Sequence, residues 1–151
     1  STIPWMEFAK ITGMPQELKE KIGHLKYSAV QTAYFPDNLD TEAQWIYYPD
    51  PELSYHRILV RHNFCNGSKG YWTECNSTRV DEITESTFQY MNQYAYPLNT
   101  IGKPEIMKEL LEWAKTRRVY GLGRWGEHQH YNSDLVVELA LKMAEELNSA
   151  Q

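Results

Sequence analysis

Between Tyr27 and Tyr96 the chain is cut into short runs rich in aromatic and β-branched residues, and this punctuation limits the available folds more than any other feature. Tyr27 to Phe35, Gln44 to Tyr48 and Tyr55 to Phe64 are such runs, separated by Pro, Asp and Asn clusters that favour turns. Side chains of this kind suit a pleated, half-buried surface, so the three runs predict an antiparallel meander. Gly70 to Val80 and Thr87 to Tyr96 predict two more strands, joined by an acidic turn near Asp81 and Glu82. Pro97 has no N–H to donate and should end the pairing there.

Helical spacing flanks this block on both sides. Pro15 to Leu25 places Leu18, Ile22 and Leu25 on one face behind an initial proline. From Pro104 to about Lys115, Ile106, Leu110, Leu111 and Trp113 form another apolar face. Arg118 to Leu122 predicts a strand. Asn132, Ser133 or Asp134 then caps a helix in which Leu135, Val136, Leu139, Ala140, Met143 and Leu147 fit a 3.6-residue period. Ser1 to Trp5 reads as the end of a strand. The resulting class is α+β: a largely antiparallel sheet with flanking helices and a closing strand-turn-helix.

Composition narrows the function classes. With 42% hydrophobic and 23% charged residues, 151 residues suffice for a real core, which excludes disorder. A net charge of −5 argues against nucleic acid as a partner, because phosphate backbones are held by clustered Lys and Arg. Lys115, Arg117 and Arg118 come nearest to a cluster, and they fall in the last turn of a predicted helix, where cations offset the dipole. No apolar run is long enough to span a membrane. Cys65 and Cys75 are expected as free thiols, and the protein as cytoplasmic, which leaves the sequons at Asn66 and Asn76 unused. His128 and His130 lack an obvious third ligand, so no metal is expected.

The chemistry-bearing stretch is Gly121-Leu122-Gly123-Arg124-Trp125-Gly126, which precedes the last helix. Glycines allow close backbone approach, and a helix start offers free N–H groups to an anion. On these residues alone, a phosphate site and a plain turn remain open.

Gly123-Arg124-Trp125-Gly126, then Asn132-Ser133-Asp134 and a long amphipathic helix, resembles the closing FAD-binding segment of the UDP-galactopyranose mutases and related amine-oxidase-type flavoproteins. Trp45-Ile46-Tyr47-Tyr48-Pro49 with Tyr55-His56-Arg57 resembles the strand pair that contacts the sugar nucleotide in that family. Tyr94 to Thr100 resembles its Tyr-Pro segment, and Ser1 to Pro4 its crossing between domains.

The resemblance implies residues 1–118 as a substrate-type domain and 119–151 as the last piece of an FAD-binding domain. It implies Gly123, Arg124, Gly126, Asn132, Ser133 and Asp134 as cofactor contacts, and Tyr47, Arg57, Asn63, Tyr96 and His130 as substrate contacts. Arg57 and Arg124 take the catalytic positions. Phe64 and His130 stand where the family has tyrosines, departures that bear on the sugar nucleotide more than on the flavin.

The family's N-terminal β-α-β unit carries a GxGxxG phosphate loop, and this chain has no such pattern. The expectation is therefore the C-terminal part of an FAD-dependent nucleotide-sugar mutase, a polysaccharide-biosynthesis isomerase, with the chain alone holding FAD poorly. Its expected partners are a UDP-linked sugar, the missing FAD-binding half and a second copy in a homodimer. An amine-oxidase-like FAD oxidoreductase and a non-catalytic sugar-nucleotide or partner-binding module stand as alternatives.

Overall fold

A computed structural model of the chain describes residues 1–79 and 86–149. It is α+β, with a five-stranded antiparallel sheet and flanking helices, as the alternation of aromatic runs and helical periods implies. The chain divides into two compact units, Ser1–Tyr27 with Tyr96–Gln151, and Ser28–Ala95. The division expected between residues 118 and 119 falls inside the first of these.

The second unit is built on the sheet. Its strands are β1 (Tyr27–Phe35), β2 (Trp45–Tyr47), β3 (Tyr55–Leu59), β4 (Tyr71–Asn76) and β5 (Phe88–Pro97). They lie in the order β2-β3-β4-β1-β5, so of the meander expected from the first three runs only the β2–β3 pairing holds, and β1 inserts between β4 and β5. Two-residue alternation explains the two faces. Ile46, Ile58, Thr73 and Ala33 form one cross-strand row, in which Ile58, Thr73 and Ala33 are buried. Tyr47, Arg57, Glu74 and Thr32 form the neighbouring row on the opposite face.

The run to Phe64 does not continue as a strand. After Leu59 the backbone turns into a 3₁₀ turn at Arg61–Asn63, which the Asn63 amide ties to the Thr41 and Ala43 carbonyls at 2.7 and 2.9 Å. The strand expected to reach Val80 stops at Asn76 and gives way to a 3₁₀ turn at Ser77–Arg79. Val80 and the acidic turn at Asp81 and Glu82 lie outside the described residues. Among the described residues Cys65 and Cys75 form no disulfide.

The first unit is helical: α1 (Trp5–Phe8), α2 (Gln16–Ile22), α3 (Lys103–Thr116), α4 (Gly123–Gly126) and α5 (Ser133–Ser149). Its core joins Trp5, Met14, Ile22 and Leu25 to Met107, Leu110 and Ala114 of α3. Trp5 is fully buried, and its indole N–H donates to the Gly126 carbonyl at 2.8 Å, which anchors α1 to α4. Removing a side chain of that size from a core costs about 3–5 kcal/mol.

Two expectations change here. Ser1 to Trp5 passes directly into a helix, and Arg118 to Leu122 forms no strand: Arg118 sits in a turn and residues 119–122 join no ladder. Arg118 has φ 57°, a left-handed conformation that cannot continue a strand. The segment instead meets Ser1: the Ser1 amino group donates to the Tyr120 carbonyl, and the Leu122 N–H donates to the Ser1 carbonyl at 2.9 Å. Among the described residues no helix is long and apolar enough to cross a membrane.

Candidate functional site

In the first unit the structure gathers three residues singled out from the sequence. The Arg124 guanidinium lies 5.4 Å from the centroid of the Tyr96 ring, and the His130 ring lies 5.1 Å from the same centroid. Arg124 Nη2 also donates to the Tyr131 carbonyl at 3.0 Å. Those contacts orient the guanidinium without neutralising it, since a ring face and a carbonyl carry no net charge. Among the described residues Arg124 forms no ion pair.

Beside this cluster is an open concavity of about 430 Å³, lined by Gly123, Arg124, Trp125, Ser133, Val136 and neighbouring residues. Gly123 takes φ +75°, and a Cβ there would meet Val136 at 3.2 Å. Its N–H, however, is taken by the Glu127 carboxylate at 3.0 Å. Gly126 serves packing, since a Cβ there would lie 2.2 Å from the Ser1 carbonyl oxygen. Asn132 supplies a carbonyl to the Val136 N–H at 3.2 Å, and Asp134 sits in the first turn of α5. Of the six expected cofactor contacts, Gly123, Arg124 and Ser133 line the concavity.

Beneath the cluster are two buried groups that the sequence did not mark as site residues. His128 is 1% exposed, and its Nε2–H donates to the Lys26 carbonyl at 3.0 Å, while Nδ1 is buried without a partner. Burial holds its pKa below the ordinary value; the bond to Lys26 opposes this and the Lys103 charge adds to it. Lys103 is 5% exposed and donates to the Asn99 side-chain oxygen, to the His128 carbonyl at 3.1 Å and to Gln129 Oε1 at 3.0 Å. Burial lowers its pKa as well. Nothing in the sequence around Lys103 marks it, because it opens a helix that Pro104 already announces.

The second unit holds the remaining expected residues. Arg57 Nε donates to Glu74 Oε2 at 2.9 Å, Nη2 donates to the same oxygen, and Nη1 reaches the Tyr47 hydroxyl at 3.3 Å. His56 lies 3.9 Å from that carboxylate. Glu74 therefore offsets the charge of Arg57, one of the expected sugar-nucleotide contacts. Asn63 spends both amide hydrogens on backbone carbonyls, so its side chain fastens a loop. Phe64 packs edge-on against Trp45 at 5.6 Å.

Comparison with solved structures places this architecture. A crystal structure of reduced UDP-galactopyranose mutase matches with a TM-score of 0.65 at 18% identity, over 83% of this chain and 35% of that one. The likeness is one of fold. No family model and no curated protein matches the chain. The chain thus spans about a third of the length of the mutase it resembles. Within that mutase-like fold, Tyr96, Arg124 and His130 form one cluster and Tyr47 and Arg57 another.

Proposed function

We propose that the chain is the C-terminal part of an FAD-dependent enzyme that acts on a nucleotide sugar, with chemistry like that of UDP-galactopyranose mutase. The observation that carries this reading is an oriented, unpaired Arg124 over Tyr96, with His130 against the same ring. A guanidinium held by a ring face and a carbonyl keeps its charge available for an anion, such as a diphosphate or the phosphate region of a dinucleotide. The neighbouring concavity is open and largely apolar in its lining, with Trp125, Val136 and Val137 beside Arg124 and Ser133, which suits the edge of a flat heteroaromatic cofactor.

In this reading Gly123, Arg124 and Ser133 border the FAD, with Asn132 and Asp134 at the start of α5 and Gly126 closing the turn behind them. The reduced flavin would supply a nucleophile to the anomeric carbon. Tyr96 and His130 would orient the diphosphate as it departs, and the Arg124 charge would stabilise the negative charge that develops, commonly the largest contribution to such catalysis. Tyr47 and Arg57 are the proposed sugar-nucleotide contacts of the second unit. The remaining two thirds of such an enzyme, including a phosphate loop for FAD, would come from a separate FAD-binding half. A cytoplasmic setting belongs to the same proposal.

One observation favours a second reading. Glu74 neutralises Arg57, which suits a substrate without phosphate and so an amine-oxidase-like flavin oxidoreductase. Calorimetric titration separates the two. The first reading expects saturable UDP binding by the chain, weakened about tenfold, or 1.4 kcal/mol, by Arg124→Ala. Equal UDP affinity of wild type and Arg124→Ala would sink it.

A further inference from the structure

A lysine at the first position of α3 is electrostatically misplaced, since the helix N-terminus already carries partial positive charge. Lys103 is also buried, and no carboxylate pairs with it among the described residues. A methionine would fill the same volume without the desolvation cost of a charge. What the ammonium does instead is join two chain segments. Its acceptors are Asn99, three residues after Tyr96, and the His128 carbonyl and Gln129 side chain, directly before His130.

We infer that Lys103 is the positioning residue of the proposed ligand cluster: its three hydrogen bonds clamp the 96–99 and 128–130 segments together and so set the His130 ring against Tyr96. The two segments also share the Lys26 carbonyl, which accepts from the Leu98 N–H at 2.8 Å and from the His128 ring at 3.0 Å, but neither of those bonds reaches residues 129–130. His128 takes a left-handed conformation at φ 50°, which is strained for a residue other than glycine. Its backbone carbonyl is turned to Lys103 while its ring donates to Lys26. The ammonium's fixed donors compensate that strain at the point where the loop delivers His130. An interior ammonium without a paired carboxylate also raises the positive potential at the 128–129 segment, which favours an anionic ligand over a neutral one there. The lowered pKa of His128, to which the Lys103 charge contributes, is consistent with a field felt locally.

This inference rests on the reading of Tyr96 and His130 as ligand-facing, but its test needs no ligand. The His130 ring-proton resonances in the 151-residue chain record their distance from the Tyr96 ring, and Tyr96→Leu supplies the value without that ring. Lys103→Met, with folding checked by circular dichroism, should move the His130 resonances toward the Tyr96→Leu value. A folded Lys103→Met whose His130 resonances match wild type overturns the inference, even if its melting temperature falls, because that is what a merely structural lysine would give. If Lys103→Met does not fold, Gln129→Ala removes one acceptor and keeps the lysine. A partial move of the same resonances then supports the clamp, and unmoved resonances overturn it. Loss of UDP binding by wild type, with the Lys103→Met shift intact, would reject the proposed function and leave the clamp standing.

Discussion

Arg124 and Tyr96 stand 5.4 Å apart, guanidinium over ring, although 28 positions separate them in the chain. A helix and a glycine-lined turn bring them together: α3 carries the chain away from Tyr96, and α4 turns it back so that Arg124 faces the ring. The contact leaves the charge of Arg124 unpaired, whereas Arg57 is held by Glu74. The two arginines that sequence reasoning treated alike therefore differ in what they can still bind.

The α4 turn depends on close backbone packing. A Cβ at Gly126 would lie 2.2 Å from the Ser1 carbonyl oxygen and 2.9 Å from the Gly121 carbonyl carbon, both backbone atoms that cannot rotate away. Gly126→Ala should destabilise the chain by about 1–3 kcal/mol in urea unfolding. Gly13→Ala, where a Cβ meets nothing within 4 Å, should stay within about 0.5 kcal/mol of wild type.

His128 sets a pH dependence. Its folded pKa lies below the ordinary 6.5, so between the two values the unfolded chain binds the proton and the folded chain does not. Stability from this group is complete above 6.5 and is lost as pH falls from 6.5 through the lowered folded value, at up to about 1.4 kcal/mol per pH unit. Urea midpoints between neutral and mildly acid pH should fall more steeply for wild type than for His128→Gln. Parallel slopes would remove His128 as the cause.

The Arg57–Glu74 pair is largely buried, with side chains 19% and 13% exposed, so removing one partner strands the other's charge. Arg57→Ala and Glu74→Gln should each destabilise, and a double-mutant cycle should give a coupling of about 1–2 kcal/mol. Coupling near zero would contradict the pairing.

An apolar side of α5 lacks cover. Val137 and Leu141 follow each other at helical spacing and are 60% and 63% exposed. Surfaces of this kind drive association when nothing covers them. Light scattering across concentrations should show the apparent mass rising with wild type and flat with a Val137→Glu, Leu141→Lys double variant.

Strands and long helices were legible because their information is local: aromatic runs, a 3.6-residue period, and prolines at helix starts. The order of β1 within the sheet was not, since it depends on pairing across about 40 residues rather than on any run. Arg118 to Leu122 misled for a related reason. Val119, Tyr120 and Leu122 suit a strand, yet a run becomes a ladder strand only beside another strand, and here the chain it meets is Ser1. Tyr96, Arg124 and His130, which family-like motifs singled out, fold into one cluster. Lys103 and Glu74 were not singled out, because a buried lysine or a paired glutamate has no signature apart from the residues folded around it.

If the cluster at Arg124 takes the phosphate part of a nucleotide, affinity must follow the diphosphate. Titrating the chain with UDP and, separately, with uridine tests it most directly, because the two ligands share base and sugar and differ only in the diphosphate. UDP should bind at least about tenfold more tightly than uridine, a difference of about 1.4 kcal/mol that shrinks as salt is added. Equal affinities, or binding of neither, would contradict it.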